Sequence, residues 1–265
     1  MLNSLVDDAL HSDVVILLVV GAVLFSAAEI GYRIGSRHGP ERRKAHQGQS
    51  GSLQGALLGL LGLLLGFTFA MSVGRYEARK QLVLDEANGI GTTWLRAGFL
   101  SEPTRDAARA ALEDYVEARL EGAKLAFASG DFQKEIARSE RDEAALWRAI
   151  VAEVKSHDTP STALFTASLN DLIDLDAKRQ AAGRNHVPGT VWLLLLLVSF
   201  TVCGTIGYAA ALSDSGRHAL SMVILPALLT IVITIIADID NPRRGLIKVS
   251  QQSMVDLQQT LRRYR

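Results

Sequence analysis

Residues 53–73 read LQGALLGLLGLLLGFTFAMSV. No charge interrupts this run of roughly 21 positions, enough at ~1.5 Å per residue to cross a ~30 Å hydrocarbon layer. Three further stretches have the same apolar character: Val14 to Ile34, Val187 to Leu212 and Leu220 to Ala237. Helices of water-soluble cores are rarely apolar all round for so long. The chain therefore reads as all-α, an integral membrane protein with four transmembrane helices.

Composition alone does not demand this, because 48% hydrophobic and 21% charged residues suit a soluble protein too. Segregation along the chain decides it. The formal net charge is zero, which leaves no global basic field for nucleic acid, and none is expected as a partner. The single cysteine, Cys203, lies in the third span, so no disulfide forms within the chain. Asp7, Asp8 and Asp13 precede the first span and no Lys or Arg does, unlike a secretory leader. A retained span is expected.

The spans pair into two hairpins, with short polar connections at 35–52 and 213–218. The chain thus divides into four regions: a transmembrane hairpin over 1–74, an extramembrane amphipathic helical bundle over 75–186, a second hairpin over 187–238, and a tail over 239–265. The second span is expected to run on as helix to about Leu100. Ser101-Glu102-Pro103, Ser129-Gly130-Asp131 and Asp158-Thr159-Pro160 punctuate the bundle. Between them run apolar stripes: Ala107, Ala111, Tyr115, Leu120, Ala123, Phe127; then Phe132, Ile136, Trp147, Ile150, Val154; then Leu164, Leu169, Leu172, Ile173 and Leu175. Trp94 and Trp147 are assigned to the bundle core, and its acids and bases to solvated faces. The acidic flank and basic loop of the first span put the N-terminus outside, whereas the Lys and Arg counted over all span ends put it inside.

Gly51, Gly55, Gly59, Gly62 and Gly66 fall within about 40° of one line on the second span. Such a line either seats another helix closely or faces the axis of an oligomer. Gly59, Gly62, Gly66, Phe67, Thr68, Phe69 and Ser72 are candidates for lining or gating a pore, with rings to dewet it and hydroxyls to replace part of an ion's water. Glu29 and Arg33, one turn apart, are expected to pair, since a lone charge at mid-membrane costs ~3 kcal/mol or more. Pro226 frees the carbonyl of Met222, which Thr230 or Thr234 is expected to satisfy. Asp238, Asp240, Asn241, Arg243 and Arg244 crowd the end of the fourth span, as a self-paired cap or a spot for an ion or head group. No histidine spacing suits a metal, and no phosphate loop or nucleophile elbow occurs, so neither enzyme nor cofactor is expected.

The run Gly59 to Val73, Arg75-Tyr76-Glu77, the segment from Asp85 to Thr93, and the stretch from Asp238 to Ile247 resemble the bacterial bestrophin-like family, itself of unknown function. The similarity spans about Leu53 to Leu257. That family is distantly similar to bestrophins, which are pentameric anion channels with four spans and a helical region between the second and third. Ile239-Asp240-Asn241-Pro242 matches their turn after span four. The acidic run of the animal calcium clasp is replaced by Arg243-Arg244 and Gly245-Leu246-Ile247-Lys248, so calcium gating is not implied. The resemblance implies a multi-pass protein of a bacterial inner membrane, in contact with lipid, forming a homo-oligomer (pentameric by analogy) that passes small ions, anions foremost. Arg75, Arg79 and Lys80 would raise local anion concentration beyond span two. The alternative is a non-conducting scaffold or sensor whose bundle binds a partner protein.

Overall fold

Alanine, leucine, glutamate and arginine dominate the segments between the breakers, and the backbone follows their preference for helix. The computed structural model describes residues 2–37, 40–102, 104–124, 130–212, 220–241 and 246–264. Among them the regular elements are helices: α1 (Leu2–Ser36), α2 (Pro40–Ala97), α3 (Thr104–Gly122), α4 (Gly130–Ser156), α5 (Pro160–Arg184), α6 (Gly189–Leu212), α7 (Ser221–Asp240) and α8 (Gln252–Tyr264). The four expected membrane-crossing segments lie in α1, α2, α6 and α7. α2 is one helix of 58 residues, about 87 Å long. Its span and the first stretch of the polar region are thus continuous backbone.

The chain divides into two compact units. The membrane unit comprises Val6–Gly74 and His186–Ile247. Its core gathers Leu24 and Ala27 of α1, Leu61 of α2, Leu195 and Val202 of α6, and Leu229 and Ile233 of α7. Large apolar side chains such as Leu18, Leu193, Leu197 and Leu228 point outward, as lipid rather than water requires. α1 and α6 approach through small residues. A Cβ on Gly31 would overlap the carbonyl of Gly204, and one on Gly207 the carbonyl of Ala28. One on Gly35 would sit 2.7 Å from the Tyr208 carbonyl and 2.8 Å from Ala211 Cβ. Pro226 lies inside α7. Thr230 donates to the Pro226 carbonyl at 2.7 Å and Thr234 to the Thr230 carbonyl at 2.8 Å. Neither reaches Met222, because a threonine in a helix bonds back along its own turn.

The second unit comprises Arg75–Asn185 together with α8. Ile90, Trp94, Leu112, Tyr115, Ile150, Phe165, Leu169 and Leu172 form its core. Thr159 caps α5 in a capping box with Thr162, with Pro160 in the first turn. α8 docks through Met254 and Leu261, and Tyr264 packs its ring 6.5 Å from that of Trp94. Trp94 is buried beneath the Arg109 guanidinium, 4.1 Å from its ring centre. Trp147 departs from expectation and is 37% exposed. Leu146 and Ile150, four apart, hold the core-facing line of α4, and Trp147 is turned about 80° off it. Phe127 lies outside the described residues, as do the side chains of Phe132 and Ile136.

Candidate functional site

The apolar side chains of α2 determine which way its span faces. Leu61 enters the membrane core, with Leu57, Leu64 and Leu65 packed against it. The glycine line is thereby turned away from the rest of the chain. A Cβ added at Gly51, Gly55, Gly59, Gly62 or Gly66 would meet nothing within 4 Å. The seam within the chain is the one between α1 and α6, and the glycines of α2 take no part in it. Its mark in the sequence was Ala27, Gly31 and Gly35 at four-residue spacing, the small-residue pattern of helix pairs.

The gate candidates fall on different faces. Phe69 is 47% exposed and lies about 40° from the line through Gly55, Gly62 and Gly66. Phe67 is 62% exposed but about 120° from that line, on the outward flank. Thr68 and Ser72 are buried on the opposite side, and the Thr68 hydroxyl donates to the Leu64 carbonyl at 2.7 Å. Gly59, Gly62, Gly66 and Phe69 thus form one open face, while the two hydroxyls point into the chain's own packing.

Two charge sites accompany it. In α1, Arg33 Nε donates to Glu29 Oε1 at 2.7 Å, so this pair neutralises itself along one turn. At the end of α7, Asp238 and Asp240 are buried. Both carboxylate oxygens of Asp240 accept from the Val187 amide, at 3.0 and 3.1 Å, and its carbonyl lies 3.0 Å from His186 Nδ1. Asp238 Oδ2 accepts from the Ile247 amide at 3.1 Å. The Asn241 amide closes the helix on Ala237 and Asp238. The carboxylates therefore act as backbone clasps, tying the entry of α6 and the exit of α7 together. Arg243 and Arg244 lie outside the described residues. Among the described residues no three His, Cys, Asp or Glu side chains stand together as a metal site.

In the second unit, Arg79 turns inward. It is only 6% exposed and donates to the carbonyls of Ala182 at 3.0 Å and Asn185 at 2.7 Å. A cation at a helix C-terminus meets unpaired carbonyls and the negative end of the dipole, so Arg79 caps α5. Lys80 stands beside Glu77 at 3.7 Å. Arg75 reaches the Asn185 side chain at 3.4 Å, so Arg75 and Arg79 meet at the end of α5 while Lys80 turns to Glu77.

The charges expected on solvated faces include a buried network instead. Glu86 of α2 is fully buried. It accepts from the Tyr115 hydroxyl at 2.8 Å, pairs with Arg119 of α3 at 3.0 Å, and also pairs with Arg179 of α5. Arg119 reaches Asp176 of α5 at 2.8 Å. Four helices contribute, since Glu143 of α4 comes close enough to feel Asp176, Arg119 and Tyr115, and its Oε1 is buried without a hydrogen-bond partner among the described residues. Burial, reinforced by Asp176, pushes the Glu143 carboxyl up to about 7 against the opposing pull of Arg119 and Tyr115. Burial also pushes the Tyr115 hydroxyl well above its usual range. The sequence held a signal for this: Val83, Glu86 and Ile90 share a helical phase, placing a carboxylate on the core line of α2. A second buried carboxylate, Glu153, accepts from the Ser101 hydroxyl and amide at 2.5 and 3.1 Å and from Thr104 at 2.8 Å. Those bonds hold its carboxyl below the usual range.

Comparison with known proteins adds the context for this geometry. The family described as Bestrophin-like domain matches residues 20–254. No curated protein matches the chain. Among solved structures, a bacterial bestrophin homolog from Klebsiella pneumoniae superposes with a TM-score of 0.62 at 13% identity, covering 94% of this chain and 96% of that one. A point mutant of that homolog gives 0.63 at 13% identity, covering 94% and 97%. A further crystal structure, described as that of a membrane protein, gives 0.64 at 13% identity, covering 94% and 96%. At such identity the likeness is one of fold.

Proposed function

The chain belongs to the bestrophin-like family, and on that premise we propose that it is an oligomeric membrane channel for small ions, anions by the family's analogy. The observation that carries the reading is the open glycine face of α2, aimed away from the chain's own core. Glycine rows cost helix stability in water, and lipid supplies no hydrophobic drive to offset it. Their use lies in letting something approach the backbone closely. In this reading α2 of each subunit surrounds a central axis in a bacterial inner membrane. Gly59, Gly62 and Gly66 set the width of the path and Phe69 narrows it. The Glu29–Arg33 pair neutralises its charge within α1, and the Asp238 and Asp240 clasps hold the exit of α7 and the entry of α6 in place.

Purified protein in liposomes should pass chloride or iodide, and Phe69→Ala should change that flux several-fold. Vesicles that stay tight to anions and cations at several voltages would overturn the reading. The spacing of the glycines supports a second one, a non-conducting scaffold whose subunits pack through the same row. The two differ in water. A cysteine placed at Gly62 reacts with a charged thiol reagent if it lines an aqueous path and stays silent in a dry helix seam. Cys203 is buried, so the background is low.

A further inference from the structure

The buried network around Tyr115 has an odd number of acids. Two guanidiniums, Arg119 and Arg179, face two carboxylates, Glu86 and Asp176, which balances their charge. Glu143 is the third carboxylate, and it comes from a fourth helix, α4. Among the described residues, the groups that act on it are Asp176 from α5, Arg119 and Tyr115 from α3, and Glu140 one turn away on α4; Arg119 is already shared between Glu86 and Asp176, Arg179 pairs with Glu86, and Glu143 Oε1 is buried without a hydrogen-bond partner. An ionised Glu143 brings a net negative charge into a site whose cations are shared out. A neutral Glu143 does not.

From this arrangement we propose that Glu143 is a proton-linked latch on α4: protonated, it lets α4 dock against α3 and α5; ionised, it loosens that docking. Access to solvent is built in. Glu143 borders an open groove of about 360 Å³ lined by Glu140, Ala144, Trp147, Asn170 and Ile173, so protons exchange without unfolding. The direction follows from linkage. The docked state holds the proton up to about pH 7, whereas an undocked glutamate releases it near its ordinary value of 4.5. Between those values the undocked state binds fewer protons, so docking weakens as pH rises and levels off above the upper value. This proposal is independent of whether the membrane unit conducts.

The test is hydrogen exchange of the full-length protein in detergent or nanodiscs, read as protection factors, which remove the intrinsic pH dependence of exchange. α4 amides should lose about tenfold in protection between pH 5.5 and 8, while α8 amides hold steady. Glu143→Gln, which mimics the protonated form, should keep α4 protected throughout. Asp142 is a neighbouring acid also raised by burial, so Asp142→Asn is the control and should leave the wild-type profile in place. A flat wild-type profile overturns the proposal. So does a profile that survives Glu143→Gln or disappears with Asp142→Asn.

Discussion

Gly31 of α1 and Gly204 of α6 meet backbone against backbone, with no room for a methyl group between them. Gly207 repeats the contact one turn on, against Ala28. A membrane helix pair held this way depends on van der Waals contact along the seam. Gly31→Leu should therefore destabilise the membrane unit by about 3 kcal/mol, near the upper end of overpacking costs. Gly55→Ala, which adds its methyl to open space in the same chain, is the comparison. Thermal unfolding of both variants in detergent should separate them by several degrees.

Glu86 depends on two guanidiniums, and removing one leaves a charge buried. Arg119→Met should cost ~3–5 kcal/mol, because breaking a buried pair strands its partner. Arg119→Met combined with Asp176→Asn, which leaves Glu86 and Arg179 as a balanced pair, should cost less than the single change. Denaturation midpoints of the three proteins check this. Equal or additive losses would show that the residues are not coupled.

Glu153 should confer an acid-side sensitivity opposite in sign to that of Glu143. Its folded carboxyl lies below its ordinary value of 4.5, held there by Ser101 and Thr104. The stabilisation is therefore present above about pH 4.5 and is lost as pH falls through the depressed value. Glu153→Gln should lower stability by about 1–2 kcal/mol at pH 7, where it exchanges charge-assisted bonds for weaker ones. In urea melts the variant and the wild type should converge as the pH falls through that depressed value.

Asp240 joins two segments that are 53 residues apart in sequence by accepting the Val187 amide. Asp240→Ala strands that buried donor and should cost about 1–3 kcal/mol. Increased proteolysis before α6 is the expected readout, and Asp240→Asn, which keeps one acceptor, should lie in between.

If α2 lines the path, side-chain phase ranks the flux variants. Phe69→Ala should act strongly, Phe67→Ala weakly, and Thr68→Ala chiefly through stability, since Thr68 is buried against its own chain. An equal effect from Phe67 and Phe69 on liposome flux would mean that the face is wrongly chosen.

Much of the architecture was legible in the residues. Four apolar runs long enough for a bilayer needed no tertiary information, because length and hydrophobicity act one helix at a time. Thr159-Pro160 likewise announced the start of α5, since a cap is a local bond. The Glu29–Arg33 pair followed from a four-residue spacing. What the chain alone left open was direction and partnership. The glycines of α2 and those of α1 look alike as spacings, yet one row is open and the other is closed on Gly204 and Gly207. Arg79 and Lys80 are adjacent cations, but one caps α5 and the other stands beside Glu77. Trp147 and Glu143 share one helix, and the turn of that helix exposed the tryptophan while it half-buried the acid. A helix's own pattern specifies which of its faces is apolar. Which other helix covers that face, and which charges are enclosed with it, depends on contacts between residues far apart in the chain, and only the folded structure holds those.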